Sequence, residues 1–151
     1  MNKLLVADDD VQTRRLLSAT FEYDYTVFQA ADGVTALNTV LGHRPDVVIL
    51  DGKMPKLDGL AVLGAIKADP DLAHILVVML TGRGQFSDLE RGVALGADAY
   101  FIKPVSPKTL KKWVTDHLPV QKNASDSALL PDLIRQGCGA GPDAGVPALA
   151  G

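Results

Sequence analysis

The chain has 151 residues, of which 47% are hydrophobic and 22% charged, and its formal net charge is −3. This length suits one buried core with a tail better than two ordinary domains. A weak negative charge without a cluster of Lys or Arg argues against a nucleic-acid surface. The single cysteine, Cys138, excludes an intramolecular disulfide and a multi-cysteine metal site, and we interpret it as an incidental thiol.

The N-terminal apolar run, Leu4–Ala7, ends at three consecutive aspartates, which is not the pattern of a signal peptide. The later apolar runs are far shorter than a membrane span. We therefore expect a cytoplasmic protein with no membrane segment.

Short apolar runs alternate with longer stretches of helical spacing. The predicted strands are Leu4–Ala7, Tyr25–Ala30, Val47–Leu50, Ile75–Leu80 and Ala99–Ile102. The predicted helices are Val11–Phe21, Val34–Leu41, Leu57–Lys67, Phe86–Leu95 and Pro107–His117. Strands that are apolar at consecutive positions suit a parallel sheet covered on both faces. The alternation thus predicts a doubly wound α/β domain over residues 1–118.

Two of these helices show which side chains should face the sheet. In the first helix, helical spacing places four residues on one face: Leu16, Leu17, Thr20 and Phe21. In the last helix, the corresponding residues are Leu110, Trp113, Val114 and His117.

After Leu118 the sequence becomes rich in Gly, Ala and Pro and loses its periodicity. We expect residues 119–151 to form a flexible low-complexity tail, or a linker cut short of a second domain.

Polar residues follow the predicted strands at the edge where parallel sheets bind ligands. These residues are Asp8, Asp9, Asp10, Asp51, Thr81 and Lys103. Taken singly, each has an ordinary explanation. The first three aspartates could cap a helix, Asp51 could start a turn with Gly52, and Lys103 could be a solvated loop residue.

Their joint arrangement is harder to explain without a ligand. Carboxylates brought together repel one another unless a cation joins them. Oxygen ligands suit Mg²⁺, whereas zinc would favour His or Cys. A lysine and a threonine hydroxyl at the same edge could hold phosphoryl oxygens, and phosphoryl transfer to a carboxylate needs little else.

Five motifs carry a resemblance to a known family. They are LLVADDD at 4–10, DVVILD at 46–51, MP and DG at 54–55 and 58–59, VMLTG at 78–82, and GADAYFIKP at 96–104. In order and spacing, residues 2–118 resemble the receiver domains of bacterial two-component response regulators, of the chemotaxis-type single-receiver kind. The resemblance implies a flavodoxin-like (βα)₅ fold of three layers with strand order 2-1-3-4-5.

The resemblance also implies a phosphoacceptor and its metal site. Asp51 would take the phosphoryl group as an aspartyl phosphate. Asp9 would bind Mg²⁺ directly, with Mn²⁺ as a substitute, and Asp8 would hold the metal through water. The backbone carbonyl of Lys53 would complete the protein ligands.

Three further residues would respond to the phosphoryl group. By the same resemblance Thr81 shifts toward it, Lys103 pairs with it, and the ring of Tyr100 rotates inward as Thr81 moves. The peptide bond between Lys103 and Pro104 would be cis, which an X-Pro bond allows at low cost.

The resemblance implies a switch rather than a turnover enzyme. Its partners would be a sensor histidine kinase or a histidine phosphotransfer protein, followed by a downstream protein that binds the face of the fourth helix, fifth strand and fifth helix. Tyr100 and Trp113 mark that face, and a phosphorylation-dependent homodimer could use it.

Lys53 and Arg83 stand where the family varies the lifetime of its aspartyl phosphate. Each could contact the phosphoryl group and slow its hydrolysis, or could point into solvent. The sequence leaves both possibilities open.

Two other functions remain as alternatives. A phosphatase of the haloacid-dehalogenase class carries a second Asp two residues after its nucleophile, where this chain has Lys53. A degenerate receiver acts only as a protein-binding module and usually lacks an acidic residue, the acceptor, the Thr or the Lys, all of which are present here.

Overall fold

The structure is a computed structural model that describes residues 2–82 and 86–118, with the backbone alone for 86–89. The predicted tail 119–151, with Cys138, lies outside the described residues, as does Arg83.

Within the described residues, ten elements alternate strictly between strand and helix. The strands are β1 Lys3–Ala7, β2 Thr26–Ala30, β3 Val47–Asp51, β4 Leu76–Thr81 and β5 Ala99–Ile102. The helices are α1 Val11–Phe21, α2 Gly33–His43, α3 Gly59–Ala68, α4 Phe86–Leu95 and α5 Pro107–His117. The strands form one parallel sheet in the order β2-β1-β3-β4-β5. The predicted doubly wound α/β fold, with this strand order, is confirmed.

Side-chain caps set where the helices begin. The Asp58 carboxylate accepts the backbone N–H of Ala61 at 2.8 Å, so α3 begins at Gly59, two residues later than predicted. Asp32 caps α2 in the same way through Thr35. Ser106 caps α5, whose first residue is Pro107, a position that tolerates the missing N–H.

The core forms on both faces of the sheet. All five residues of β3 are buried, because helices cover this central strand on each side. One apolar cluster joins the sheet to α2 and α3, and the other joins it to α1 and α5. Burial on both faces explains why the strands read as continuous apolar runs.

The predicted buried faces of α1 and α5 need correction. The buried residues of α1 are Leu17, Ser18 and Phe21, whereas Leu16 is 54% exposed. Leu16 lies about 100° around the helix from Leu17 and so turns away from the sheet. In α5, His117 is likewise exposed, and its ring stacks on Trp113 with the centroids 4.0 Å apart.

Among the described residues, no helix is both long enough and apolar enough to cross a membrane.

Candidate functional site

The carboxyl ends of the strands bring the predicted polar residues together. Strand register pairs Ala7 with Leu50, Asp51 with Leu80, and Thr81 with Ile102, so these strands end near the same level. One carboxylate oxygen each from Asp8, Asp9 and Asp51 lies within 4.8 Å of the others. Residues far apart in the sequence thereby form one acidic cluster.

The first two of the three consecutive aspartates join the cluster, and the third caps a helix. Asp10 accepts the backbone N–H of Gln12 at 3.1 Å and the hydroxyl of Thr13 at 2.8 Å. These hydrogen bonds, the one from Thr13 first, lower the pKa of Asp10. Asp8 instead is fully buried and accepts the backbone N–H of Asp10 at 2.8 Å. Asp9 is exposed at the rim of the cluster.

Lys103 lies between the two buried carboxylates. Its Nζ is 2.9 Å from Asp8 and 3.4 Å from Asp51. Its backbone N–H donates to the carbonyl of Thr81 at 2.7 Å, and its peptide bond to Pro104 is cis. Partial burial alone would lower the pKa of Lys103, but the two carboxylates outweigh that effect and raise the pKa overall. Lys103 therefore remains a cation.

Burial and a neighbouring charge act together on the Asp51 carboxylate. It is 7% exposed, and its pKa is raised from 3.8 to about 6, first by burial and then by the charge of Asp8. Lys103 and the backbone N–H of Lys53, at 3.3 Å, oppose this rise without cancelling it. A further cation at the cluster would therefore stabilise the ionised form of Asp51.

Two residues that support the site were not predicted to do so. Gly59 begins α3 directly against Asp51, and a Cβ there would lie 2.9 Å from the Asp51 carbonyl carbon and overlap its oxygen. Its N–H donates to the carbonyl of Gly52 at 3.0 Å. Arg14 of α1 donates to the Asp8 carbonyl at 2.8 Å. The Asp-Gly pair at 58–59 was a visible signal for Gly59, whereas nothing local in the sequence marks Arg14.

The other predicted site residues differ in their placement. Thr81 is buried at the end of β4. The Lys53 side chain is exposed. Tyr100 is partly buried and packs against the apolar cluster on the α2 and α3 side of the sheet.

The donor set of the acidic cluster fits a hard divalent cation. Its three side chains offer carboxylate oxygens, and no His or Cys of the described chain joins them. Mg²⁺ prefers oxygen ligands and usually binds proteins through one or two carboxylates, keeping several waters. Burial and then the charge of Asp8 raise the pKa of Asp51, and a divalent ion would offset both effects.

Fold and site together define a class: a doubly wound domain with an acidic cluster and a lysine at the carboxyl edge of its sheet. A family model described as response regulator receiver domain matches residues 4–115. The chain belongs to this family. Receiver domains are signalling switches of two-component systems rather than turnover enzymes, they generally depend on Mg²⁺, and they interact with histidine kinases or phosphotransfer proteins.

Individual relatives agree with this assignment. The chain is 44% identical over 110 residues to a probable transcriptional regulator, ycf27, of Guillardia theta, covering 72% of this chain and 42% of that protein. It is 35% identical over 122 residues to sporulation initiation phosphotransferase F of Bacillus subtilis, covering 80% of this chain and 97% of that one. It spans about half the length of the several ycf27 relatives that it matches.

Solved structures of similar proteins share the fold. The chemotaxis response regulator CheY4 of Vibrio cholerae superposes with a TM-score of 0.72 at 33% identity, covering 78% of this chain and 99% of that one. A putative response regulator of Chloroflexus aurantiacus gives a TM-score of 0.71 at 30% identity, covering 76% and 95%. The likeness extends over nearly the whole length of these two solved structures.

Proposed function

We propose that this chain is a phosphoacceptor switch of a two-component phosphorelay, with Asp51 as the residue that takes the phosphoryl group. One observation carries the proposal: Asp51 is buried beside Asp8 and Lys103, and its pKa is raised to about 6. A carboxylate in such surroundings gains from a metal ion and from an electrophile that takes up its charge.

The reaction is a transfer between two nucleophiles. A carboxylate oxygen of Asp51 forms a bond to phosphorus while the bond from phosphorus to a histidine nitrogen of the donor breaks. Lys103 balances charge on the phosphoryl oxygens, and the hydroxyl of Thr81 donates a hydrogen bond to one of them. A pKa of about 6 leaves most of Asp51 ionised at neutral pH, as attack requires.

Asp8, Asp9, Asp51 and the backbone carbonyl of Lys53 would hold Mg²⁺, or Mn²⁺ in its place. When bound, the ion would neutralise charge on the phosphoryl group and the carboxylates. Asp9 is the exposed member of the cluster and so offers its carboxylate to an ion arriving from solvent.

A donor would reach Asp51 across a groove beside Lys103. The groove holds about 410 Å³ and is lined by Asp10, Thr13, Leu16, Leu17, Gly82, Lys103, Pro104 and Val105. Its lining includes Leu16, which α1 leaves exposed. We propose that a histidine kinase or phosphotransfer protein covers this apolar surface while its phosphohistidine meets Asp51.

The output of the switch would be a downstream protein bound at the face of α4, β5 and α5, which a homodimer could also use. Within this account the receiver is the stretch 1–118 of the sequence. Lys53 and Arg83 would set the lifetime of the aspartyl phosphate. The exposed Lys53 side chain is free to reach the phosphoryl group or to remain in solvent.

Phosphorylation by a small donor tests the proposal. With acetyl phosphate and Mg²⁺, intact-mass measurement should show a gain of one phosphoryl group that hydroxylamine removes. Asp51→Asn should gain nothing, whereas Asp46→Asn, the same change at the amino end of β3, should behave as the wild type does. A gain that persists in Asp51→Asn would overturn the assignment.

A phosphatase assay and the labelling experiment together separate the alternatives. Steady hydrolysis of an artificial phosphomonoester would favour the haloacid-dehalogenase phosphatase, although Lys53 stands where that class needs its second acid. A wild-type chain that takes no phosphoryl group would indicate a degenerate receiver that only binds proteins.

A further inference from the structure

Tyr100 has a buried hydroxyl without a hydrogen-bond partner among the described residues. In the sheet, Tyr100 of β5 pairs with Met79 of β4. The Tyr100 ring packs against the apolar cluster that contains Met79. Burial raises the pKa of this hydroxyl. A tyrosine hydroxyl usually finds a partner when it is buried, so the inward position of this ring carries an unfavourable contribution.

The ring fits inward because Gly92 of α4 has no side chain. A Cβ built on Gly92 would lie 2.7 Å from Cζ and 2.9 Å from Cε1 of Tyr100, and would overlap the hydroxyl oxygen. Gly92 is buried inside a ten-residue helix, where glycine is less favourable than alanine. The contact with Tyr100 gives a packing reason for glycine at this position.

Tyr100 and the active-site threonine lie on one face of the sheet. Side chains alternate along a strand, so Thr81 points to the same face as Met79, the register partner of Tyr100. The Tyr100 ring and the Thr81 side chain are thus diagonal neighbours across β4 and β5. A change in one of these positions alters the space open to the other.

We propose that Gly92 is a positioning residue for Tyr100: by lacking a side chain it sets how much of the population holds the ring inward. Two contributions oppose each other in this balance. Burial of the ring favours the inward position, and the unpartnered hydroxyl favours an outward position in water. The link from this balance to phosphorylation rests on the proposed function of Asp51. The contact between Gly92 and the Tyr100 ring does not depend on that function.

The effect of Gly92 on the position of the Tyr100 ring can be tested in the unphosphorylated protein with 3-fluorotyrosine and ¹⁹F NMR. Tyr100→Phe assigns the Tyr100 resonance, and the exposed Tyr23 supplies the reference for a solvent-accessible ring. In Gly92→Ala the Tyr100 resonance should acquire the H₂O/D₂O isotope shift that Tyr23 shows. The ring lies at the far end of a flexible side chain, so it should swing outward rather than unfold the domain.

Gly42→Ala is the matched control. Gly42 also lies in a helix, but a Cβ there meets nothing within 4 Å. This variant should leave the Tyr100 resonance unchanged. A Tyr100 resonance that stays shielded in folded Gly92→Ala, or that changes equally in Gly42→Ala, would overturn the proposal.

Removing the hydroxyls gives an independent test. Tyr100→Phe should leave the melting temperature unchanged or raise it, because the lost hydroxyl has no partner among the described residues. Tyr25→Phe should lower it by about 4 °C, because the Tyr25 hydroxyl donates to the Leu118 carbonyl at 2.8 Å. A larger loss in Tyr100→Phe than in Tyr25→Phe would show that the Tyr100 hydroxyl is partnered, contrary to the proposal.

A final measurement addresses regulation. If phosphorylation favours the inward ring, Gly92→Ala should reach a severalfold lower phosphorylated fraction at a fixed concentration of acetyl phosphate. An unchanged fraction, with the ring shown to be outward, would refute the link between Tyr100 and Asp51. A wild-type chain that takes no phosphoryl group would instead contradict the proposed function, and the ¹⁹F result would still decide the role of Gly92.

Discussion

The amino and carboxyl edges of the sheet each hold a lysine that pairs with carboxylates. The two edges differ in how many carboxylate charges that lysine has to balance. At the amino edge, Nζ of Lys67 donates to the carbonyls of Ala73 and Ile75 at 3.1 and 2.7 Å and to Asp98 at 3.0 Å. Asp98 also accepts the backbone N–H of Val77 at 2.8 Å. One cation meets one carboxylate there, and Oδ2 of Asp98 accepts from both Lys67 and Val77.

At the carboxyl edge, the single ammonium of Lys103 faces two buried carboxylates, with Asp9 close by. Burial first, and then the charge of Asp8, raise the pKa of Asp51 at this edge. A partly buried Lys–Asp pair can simply join two segments, whereas a second buried carboxylate beside a single lysine creates a place for a cation. The difference in charge balance is what separates the site from a structural contact.

The largest expected effects come from removing each lysine. Lys67→Met should cost about 3 kcal/mol of unfolding free energy, since two carbonyls lose their donor and Asp98 loses its cation. Lys103→Met should cost about 2 kcal/mol in EDTA, because Asp51 can relieve part of the repulsion by taking a proton.

Urea unfolding with and without Mg²⁺ distinguishes the two edges. Mg²⁺ should restore stability to Lys103→Met and leave the deficit of Lys67→Met unchanged. Equal rescue of both variants would contradict the view that only the carboxyl edge lacks cations.

A smaller effect is expected from Mg²⁺ on the wild-type chain. At a tenfold excess over its dissociation constant, the ion should add about 1.4 kcal/mol of stability. Asp9→Asn should weaken this gain strongly while changing the stability in EDTA little, because Asp9 is exposed. Asp71→Asn, the same charge change at another exposed position, should keep the full gain. A similar loss in both variants would argue for general screening rather than a site.

Much of the fold could be predicted because its signals are local. Apolar runs and helical spacing predict each of the ten described elements, and the carboxyl-edge rule for parallel sheets predicts that Asp8, Asp51 and Thr81 share one edge. The strand order came from the family resemblance. Helix starts shifted where a cap such as Asp58 was decisive.

The features that could not be predicted depend on contacts distant in sequence. Leu16 fits an apolar pattern, but its direction depends on how α1 is rotated on the sheet. The bond from Arg14 to the Asp8 carbonyl and the contact of Gly92 with Tyr100 need the packed structure. The different roles of Lys67 and Lys103 follow from how many carboxylates surround each, which no local pattern records.

The most direct test of the difference between the edges is one substitution made at both: Asp51→Asn and Asp98→Asn, with stability measured against pH in EDTA. The folded state raises the pKa of Asp51 from 3.8 to about 6, so it binds the proton more tightly than the unfolded chain does. Ionisation of Asp51 therefore lowers stability as pH rises through that interval, and the penalty is complete above about pH 6.

Asp51→Asn should lack this penalty. Its advantage over the wild type should be near zero at about pH 4 and should grow to about 1 kcal/mol at pH 7, less than the full shift implies because solvent at the exposed rim of the cluster screens the repulsion between the carboxylates. Asp98→Asn should lose stability at pH 7, since Lys67 loses the carboxylate charge that it pairs with. An Asp51→Asn variant that is less stable than the wild type at pH 7, as Asp98→Asn is, would contradict the account.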